Sequence, residues 1–169
     1  MRMLFSVLII SIVTVSCATV SSAKKDELKQ WQAQNLAIEE KSPSVAAALN
    51  ILPGVGDFYN GNVGYGVVNL LMWPLSIAWA PVGGADGALE VNYNATKHHV
   101  TNLENRKAKF KSELHLELSA GKISKDQFYY ASKKIEMMEL GDFSKIRSYY
   151  EFLPQDNLVI ERLPSSSQR

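Results

Sequence analysis

The chain has 169 residues, which is enough for one modest domain together with a membrane element. Its formal net charge is +1, and its basic residues are interleaved with acidic ones, so the composition excludes nucleic acid as a partner. The single cysteine, Cys17, excludes an internal disulfide and any zinc site that is built from several cysteines.

Residues 1–17 have the pattern of a bacterial export signal. Residues 4–15 are an apolar stretch of about a dozen residues, which is typical of a secretory signal and too short to span a membrane comfortably. The motif Thr14-Val-Ser-Cys17 that follows resembles the lipobox of bacterial lipoproteins. The resemblance implies diacylglycerol on the Cys17 sulfur and cleavage before Cys17, with palmitate among the attached fatty acids, and Ala18 favours sorting to the outer membrane.

Two other outcomes stay open for this end of the chain. An ordinary signal peptidase would cut after the small-x-small motif Ser21-Ser22-Ala23. Alternatively, the segment is an uncleaved anchor helix in which Cys17 is only a buried side chain.

Residues 18–43 are predicted to be a polar connection. Their few apolar residues, Leu28, Trp31, Leu36 and Ile38, suit a short amphipathic helix on a surface, and a solvated tether is the alternative. Pro43, with Ser42 before it as N-cap, predicts the start of a helix.

Residues 44–87 dominate the sequence, because the stretch 62–85 contains no charged residue. An apolar stretch of about 20 residues is long enough to cross a hydrocarbon core of about 30 Å as a helix. We therefore expect a membrane-embedded helical hairpin in contact with lipid. The first apolar run, 45–52, is too short to cross, so the hairpin either spans the bilayer or is re-entrant. The residues predicted to form its turn are Pro53, Gly54, Gly56, Asp57, Phe58, Tyr59 and Gly61.

The motif Leu-Pro-Gly-x-Gly-x-Phe-Tyr-x-Gly at residues 52–61 resembles that of small bacterial membrane proteins with a two-helix transmembrane hairpin. In that family a Trp and an Asp follow in the second helix, and Trp79 and Asp86 are looser counterparts here. The resemblance implies a membrane location without a common enzymatic activity. Pro74 and Pro81 depart from the pattern and predict a kink or an end in the second helix.

Asp86 has two interpretations. A carboxylate at membrane depth would hold a functional position, as in a subunit of a transport or secretion complex. The alternative is an N-cap for the helix that follows. Gly83 and Gly84 beside it favour a flexible turn over a close helix contact.

Residues 88–118 are predicted to form one long amphipathic helix. Its apolar residues recur in steps of four and three, with polar interruptions at Thr96 and Lys107. An isolated amphipathic helix is only marginally stable, so this row of apolar residues, which we call the seam, must be covered by other residues. The cover is either the chain's own domain or another protomer or envelope protein. The seam residues are Leu89, Tyr93, Val100, Leu103, Phe110 and Leu114.

Residues 119–152 are predicted to form a short helical module. Gly121 is a C-cap candidate, and Ser124 with Gln127 predicts a capping box at the start of the next helix. The pattern of Leu116, Gly121, Ile123, Ser124, Asp126 and Phe128 resembles the SHOCT domain, a small two-helix module, which implies an interaction or oligomerisation role. Residues 153–169 are predicted to be a mostly disordered tail with a possible short strand at 157–161.

The sequence therefore predicts a mainly α protein without enzymatic activity or cofactor. His98 and His99 are adjacent and point to different faces of a helix, which argues against a metal site. We expect a lipid-anchored protein of the bacterial cell envelope, on the periplasmic face, that acts as a scaffold or assembly factor. The alternative is a non-catalytic membrane subunit of a transport or secretion complex.

Overall fold

The computed structural model describes residues 20–154, so Cys17, the signal segment and the predicted tail strand lie outside the described residues. Within that range the chain is helical and has no strand, which confirms the mainly α class. The chain divides into two compact units between Val100 and Thr101. The α-helices are α1 (Ser22–Ala33), α2 (Pro43–Leu49), α3 (Val55–Tyr59), α4 (Val63–Leu71), α5 (Ala80–Ser119), α6 (Lys125–Met137) and α7 (Leu140–Phe143), and 3-10 helices occur at Leu75–Ala78 and Tyr149–Phe152.

In the described part of the first unit, α1 comes first. The sequence left open whether this region is a surface helix or a solvated tether, and the structure has a helix that packs against the rest of the unit. The Ser21 hydroxyl caps α1 by accepting a bond from the Lys24 backbone N–H, and the Leu28 side chain is buried. The connection that follows α1 is bound along α5. Its Ile38 N–H donates to the Thr96 hydroxyl at 2.9 Å, so a polar interruption of the predicted seam fixes this segment.

The predicted two-helix hairpin is instead a group of short helices. α2 begins at Pro43 with Ser42 as N-cap, as predicted, and ends at Leu49. The uncharged run divides because α4 ends at Leu71 and Pro74, which lacks an N–H, cannot continue a helical ladder. None of the helices in residues 20–154 combines the length and the apolar character that crossing a membrane requires.

Helix α5 begins at Ala80, eight residues before the predicted start at 88. Pro81 falls in its first turn, where a missing N–H costs no helical bond, so this proline neither kinks nor ends the helix. Small residues give the early turns of α5 a buried face that approaches α2 closely. Gly84 is the clearest case, since a Cβ there would lie 2.7 Å from the Ala46 carbonyl oxygen. The interpretation of Gly83 and Gly84 as a flexible turn is therefore wrong.

The second unit has a core of aromatic and aliphatic side chains. Phe110 on α5 contacts Phe143 and Tyr149, with ring centroids 5.5 and 6.4 Å apart. α6 begins with the predicted capping box of Ser124 and Gln127. The C-terminal end of α6 is held by Lys107, whose Nζ donates to the Met138 carbonyl, and burial lowers the pKa of this amine.

Candidate functional site

A buried polar network ties the short helices of residues 44–87 together, and it begins at Asn50, whose side chain is fully buried at the end of α2. The Asn50 Oδ1 accepts bonds from the backbone N–H groups of Gly56 and Asp57, at 2.7 and 3.2 Å. Its Nδ2 donates to the Ala80 carbonyl at 2.7 Å and to the Asp57 carboxylate at 3.2 Å. One amide side chain therefore joins α2 to the starts of α3 and α5.

Asn69 on α4 continues the network from the other side. Its Nδ2 donates to the Asp57 carboxylate at 2.7 Å, and its Oδ1 accepts from the Trp79 indole N–H at 3.2 Å. The Ser76 hydroxyl donates to the backbone carbonyl of Asn69 at 2.7 Å. Asp57 is the only charged residue between Lys41 and Asp86, and it is buried with two amide donors. The interior of this segment is therefore polar, and its buried side-chain polar atoms are hydrogen-bonded with the exception of the Asn60 Oδ1.

The outer surface of the same segment is apolar. Leu71 is 79% exposed, and Leu52 and Leu75 are exposed to a similar degree. This arrangement is the reverse of a water-soluble helical packing, in which apolar side chains lie inside and polar ones outside. We call it the inverted segment, residues 44–87. Its exposed large apolar side chains are Val45, Ile51, Leu52, Val55, Phe58, Val63, Tyr65, Val67, Val68, Leu70, Leu71, Trp73, Leu75, Ile77 and Val82.

The residues predicted to form a simple turn include a short helix instead, since Val55–Tyr59 is α3. Gly54 and Gly61 have φ angles of +90° and +82°, a conformation in which glycine carries no steric penalty. Gly54 also lies against the backbone of Gly66, since a Cβ at Gly54 would come within 2.3 Å of the Gly66 carbonyl oxygen. The remaining members are divided between inside and outside: Pro53, Gly56 and Asp57 are buried, whereas Phe58 is exposed and Tyr59 is half-buried.

Charged and polar groups surround one end of the inverted segment. Lys25 pairs with Asp86 at 2.8 Å and Lys24 pairs with Glu90 at 2.5 Å. Lys41 lies over the ring of Tyr59, with Nζ 4.5 Å from the centroid. The cationic side chains of α1 and of the connection after it therefore lie at this one end of the inverted segment.

Asp86 lies within α5, so its interpretation as an N-cap is wrong. Its side chain is 7% exposed and is held by the ammonium group of Lys25. The structure thus places Asp86 at the charged end of the inverted segment.

The predicted seam is covered by the chain's own residues. Tyr93 contacts Trp31 of α1, with centroids 5.5 Å apart, and its hydroxyl donates to Glu27 at 2.9 Å. That hydrogen bond, together with burial, raises the pKa of the Tyr93 hydroxyl. Seam side chains are buried in both units, and Leu89 is partly buried. This agrees with the alternative in which the chain's own domain covers the seam. The buried members are Tyr93, Val100, Leu103, Phe110 and Leu114.

Asn50 and Asn69 are the residues of this buried network that the sequence analysis missed. The available signal was the presence of asparagines inside an otherwise apolar, uncharged run, where an unpaired amide would be costly. Within residues 20–154, no group of three or more His, Cys, Asp or Glu side chains could hold a metal ion.

Comparisons with known proteins give no match, since no family model, no curated protein and no solved structure matches this chain. The resemblances of residues 52–61 and 116–128 therefore stay predictions, as does the lipobox.

Proposed function

We propose that this protein is a lipid-anchored component of the bacterial cell envelope whose inverted segment inserts into a membrane. The observation that carries the proposal is the reversed polarity of residues 44–87, with Asn50, Asp57 and Asn69 inside and leucines, valines and aromatics outside. Hydrocarbon favours this arrangement, because it solvates apolar side chains and leaves polar groups to pair with one another. So many exposed large apolar side chains within one short segment are unusual on a monomer in water.

The lipid anchor is proposed at Cys17, three residues before the first described residue, Val20. The start of α1 supports this choice over cleavage after Ala23. That cleavage would remove Ser21, whose hydroxyl caps the helix, whereas cleavage before Cys17 would keep it.

The scaffold or assembly role is proposed from the division of the chain. Residues 101–154 form a compact unit with its own core, and this unit contains none of the inverted segment. Mild detergent extraction followed by affinity purification should recover defined envelope proteins or a second copy of the chain. Recovery of the protein with lipid alone would contradict the scaffold role.

The geometry of Asp86 supports a structural role over the transport alternative. Its carboxylate is already occupied by Lys25, and the pair links α1 to α5. We expect Asp86→Asn to lower the stability of the first unit by about 1 kcal/mol, since one partner remains partly exposed to water. Loss of a transport activity at normal protein abundance would instead support the alternative.

Vesicle flotation tests the membrane proposal directly. The test uses Cys17→Ser protein throughout, because acyl chains on Cys17 would hold any variant on the vesicles. In this background the chain should float with phosphatidylethanolamine and phosphatidylglycerol vesicles. A variant with Val68→Glu and Leu71→Glu should float much less, because each charge opposes entry into hydrocarbon by about 2–3 kcal/mol. The matched control is Leu116→Glu with Tyr129→Glu, which changes two similarly exposed apolar residues outside the segment. Equal flotation of both variants would overturn the proposal.

A further inference from the structure

We infer that the inverted segment enters and leaves the membrane on the same face and occupies a single leaflet. This inference rests on the membrane insertion proposed above and adds the depth and the sidedness of that insertion. It follows from three features of the first unit: the contacts that join the two ends of the segment, the lengths of its helices, and the distribution of polar groups along it.

The residues before and after the inverted segment are fastened to each other. The Asn92 side chain of α5 accepts from the backbone N–H groups of Glu40 and Lys41, both at 2.9 Å, and donates to the Lys41 carbonyl at 2.7 Å. Two ion pairs, Lys24 with Glu90 and Lys25 with Asp86, connect α1 to the same part of α5. The chain that enters the segment and the chain that leaves it are therefore on one side of it.

The helices of the segment match the thickness of one leaflet. α4 begins beside the charged end, since a Cβ at Gly87 would meet the Asn62 side chain at 3.2 Å. From Asn62 to Leu71 the chain rises about 14 Å, and α5 returns about 10 Å from Ala80 to Gly87, at 1.5 Å per residue. Half of a hydrocarbon core of about 30 Å is about 15 Å.

One end of the segment is polar and the other is apolar, which matches the change from the headgroup layer of a membrane to its acyl chains. At the charged end, the Tyr59 hydroxyl accepts from the Ser42 N–H at 3.3 Å beneath the ammonium group of Lys41. Tyrosine and lysine side chains suit that interface. At the other end, the turn that follows α4 exposes Leu71 and Trp73.

The buried network explains how non-helical backbone is tolerated at that depth. Irregular backbone inside hydrocarbon needs internal hydrogen-bond partners. The Ala80 carbonyl, at the start of α5, accepts from Asn50, and the Asn69 carbonyl, near the end of α4, accepts from Ser76. Side chains thus supply partners where the helices stop and start.

Side-specific labelling tests the inference. Full-length Cys17→Ser protein with a new cysteine, Leu71→Cys or the control Gln30→Cys, is added to the outside of sealed phosphatidylethanolamine and phosphatidylglycerol vesicles. A charged maleimide is then supplied outside or trapped inside. Gln30→Cys, on an exposed position of α1, should react from outside. Leu71→Cys should react from neither side, at least about tenfold more slowly than in detergent, because hydrocarbon excludes the charged reagent.

The outcomes separate the two proposals. Reaction of Leu71→Cys with the trapped reagent would show a segment that spans the bilayer and would overturn the single-leaflet inference alone. Reaction from outside, in protein that floats with the vesicles, would place the turn in water and would also overturn it. Failure to float would instead remove the proposed membrane insertion. As a second measurement, the part of the tryptophan fluorescence that Trp73→Phe removes should be quenched most by lipids brominated near the acyl-chain ends. Strongest quenching of that part by headgroup-proximal bromines would contradict the proposed depth.

Discussion

Asn69 holds separate parts of the inverted segment together through its amide and its backbone carbonyl. We expect Asn69→Leu to destabilise the first unit by about 1–3 kcal/mol. The reason is that the Asp57 carboxylate loses its 2.7 Å donor while it remains in the interior, and the half-buried Trp79 indole loses its acceptor. Unfolding of the vesicle-bound protein, followed by tryptophan fluorescence, measures the change.

The matched control for that variant is Val68→Leu, on the neighbouring position of α4 that faces outward. It conserves the apolar exterior and should leave stability within about 0.5 kcal/mol. If Asn69→Leu were no worse than this control, the buried network would have no role in holding the short helices together.

Tyr149 in the second unit makes stability dependent on alkaline pH. Burial, and then its contact with Tyr150, raises the pKa of the Tyr149 hydroxyl well above the ordinary value of 10. A raised folded-state pKa contributes stability that is complete below pH 10 and is lost as the pH rises further. We expect Tyr149→Phe to reduce the loss of stability above pH 10, measured by denaturant titration from pH 8 to 11. Tyr130→Phe, at an exposed position, should behave like the native chain. An unchanged alkaline slope in Tyr149→Phe would contradict this assignment.

Residues whose role is local could be predicted from the sequence, whereas residues that meet across the fold could not. Ser124 and Gln127 form the capping box because both partners lie within one helical turn. Asp57 finds its donors seven and twelve residues away, at Asn50 and Asn69. Residues this far apart in the sequence come into contact only when α2, α3 and α4 pack together, so no local sequence pattern identifies the network.

At the scale of elements, the early start of α5 follows from packing. The sequence analysis placed the helix start at 88, because the glycines before it suggest a turn. In the structure Gly84 lies inside the helix, where the absence of a side chain lets α5 approach α2. Such close approach depends on the partner helix, and a single helix's sequence does not specify that partner.

The neighbouring glycines of α5 give a matched pair of variants. Gly84→Ala should destabilise the first unit by about 1–3 kcal/mol, because the new Cβ would lie 2.7 Å from the Ala46 carbonyl oxygen and from the Asn50 amide nitrogen. At Gly83 a Cβ meets nothing within 4 Å, so Gly83→Ala should be neutral or stabilising by up to about 1 kcal/mol through helix propensity. Thermal unfolding by circular dichroism in vesicles compares the two. Equal effects would show that α2 and α5 are not in close contact.

At the scale of the whole molecule, the first unit combines two opposite kinds of packing. Between α1 and α5, apolar side chains such as Leu28 lie inside and ion pairs lie nearer the surface, as in water-soluble proteins. In the inverted segment the order is reversed. The sequence predicted the apolar segment but not the helix α3 inside its turn, and composition does not determine which side of a short helix faces the interior. Asn50 and Asn69 determine that side, because each donates to the buried Asp57 carboxylate and an unpaired amide or carboxylate in apolar surroundings is costly.

Two membrane contacts on one molecule lead to a prediction for the anchor. The several acyl chains expected on Cys17 would by themselves attach the protein stably, and the inverted segment would provide a second, independent contact with the membrane. We therefore expect Cys17→Ser to remove the mass of the lipid and the incorporation of labelled palmitate, and to disturb sorting. The variant should still float with vesicles.

Combining Cys17→Ser with Val68→Glu and Leu71→Glu should abolish flotation, because neither contact then remains. An unchanged mass in Cys17→Ser would refute acylation at this residue. Complete loss of flotation in Cys17→Ser alone would show that the acyl chains carry all of the binding. The apolar exterior of residues 44–87 would then require a protein rather than lipid to cover it.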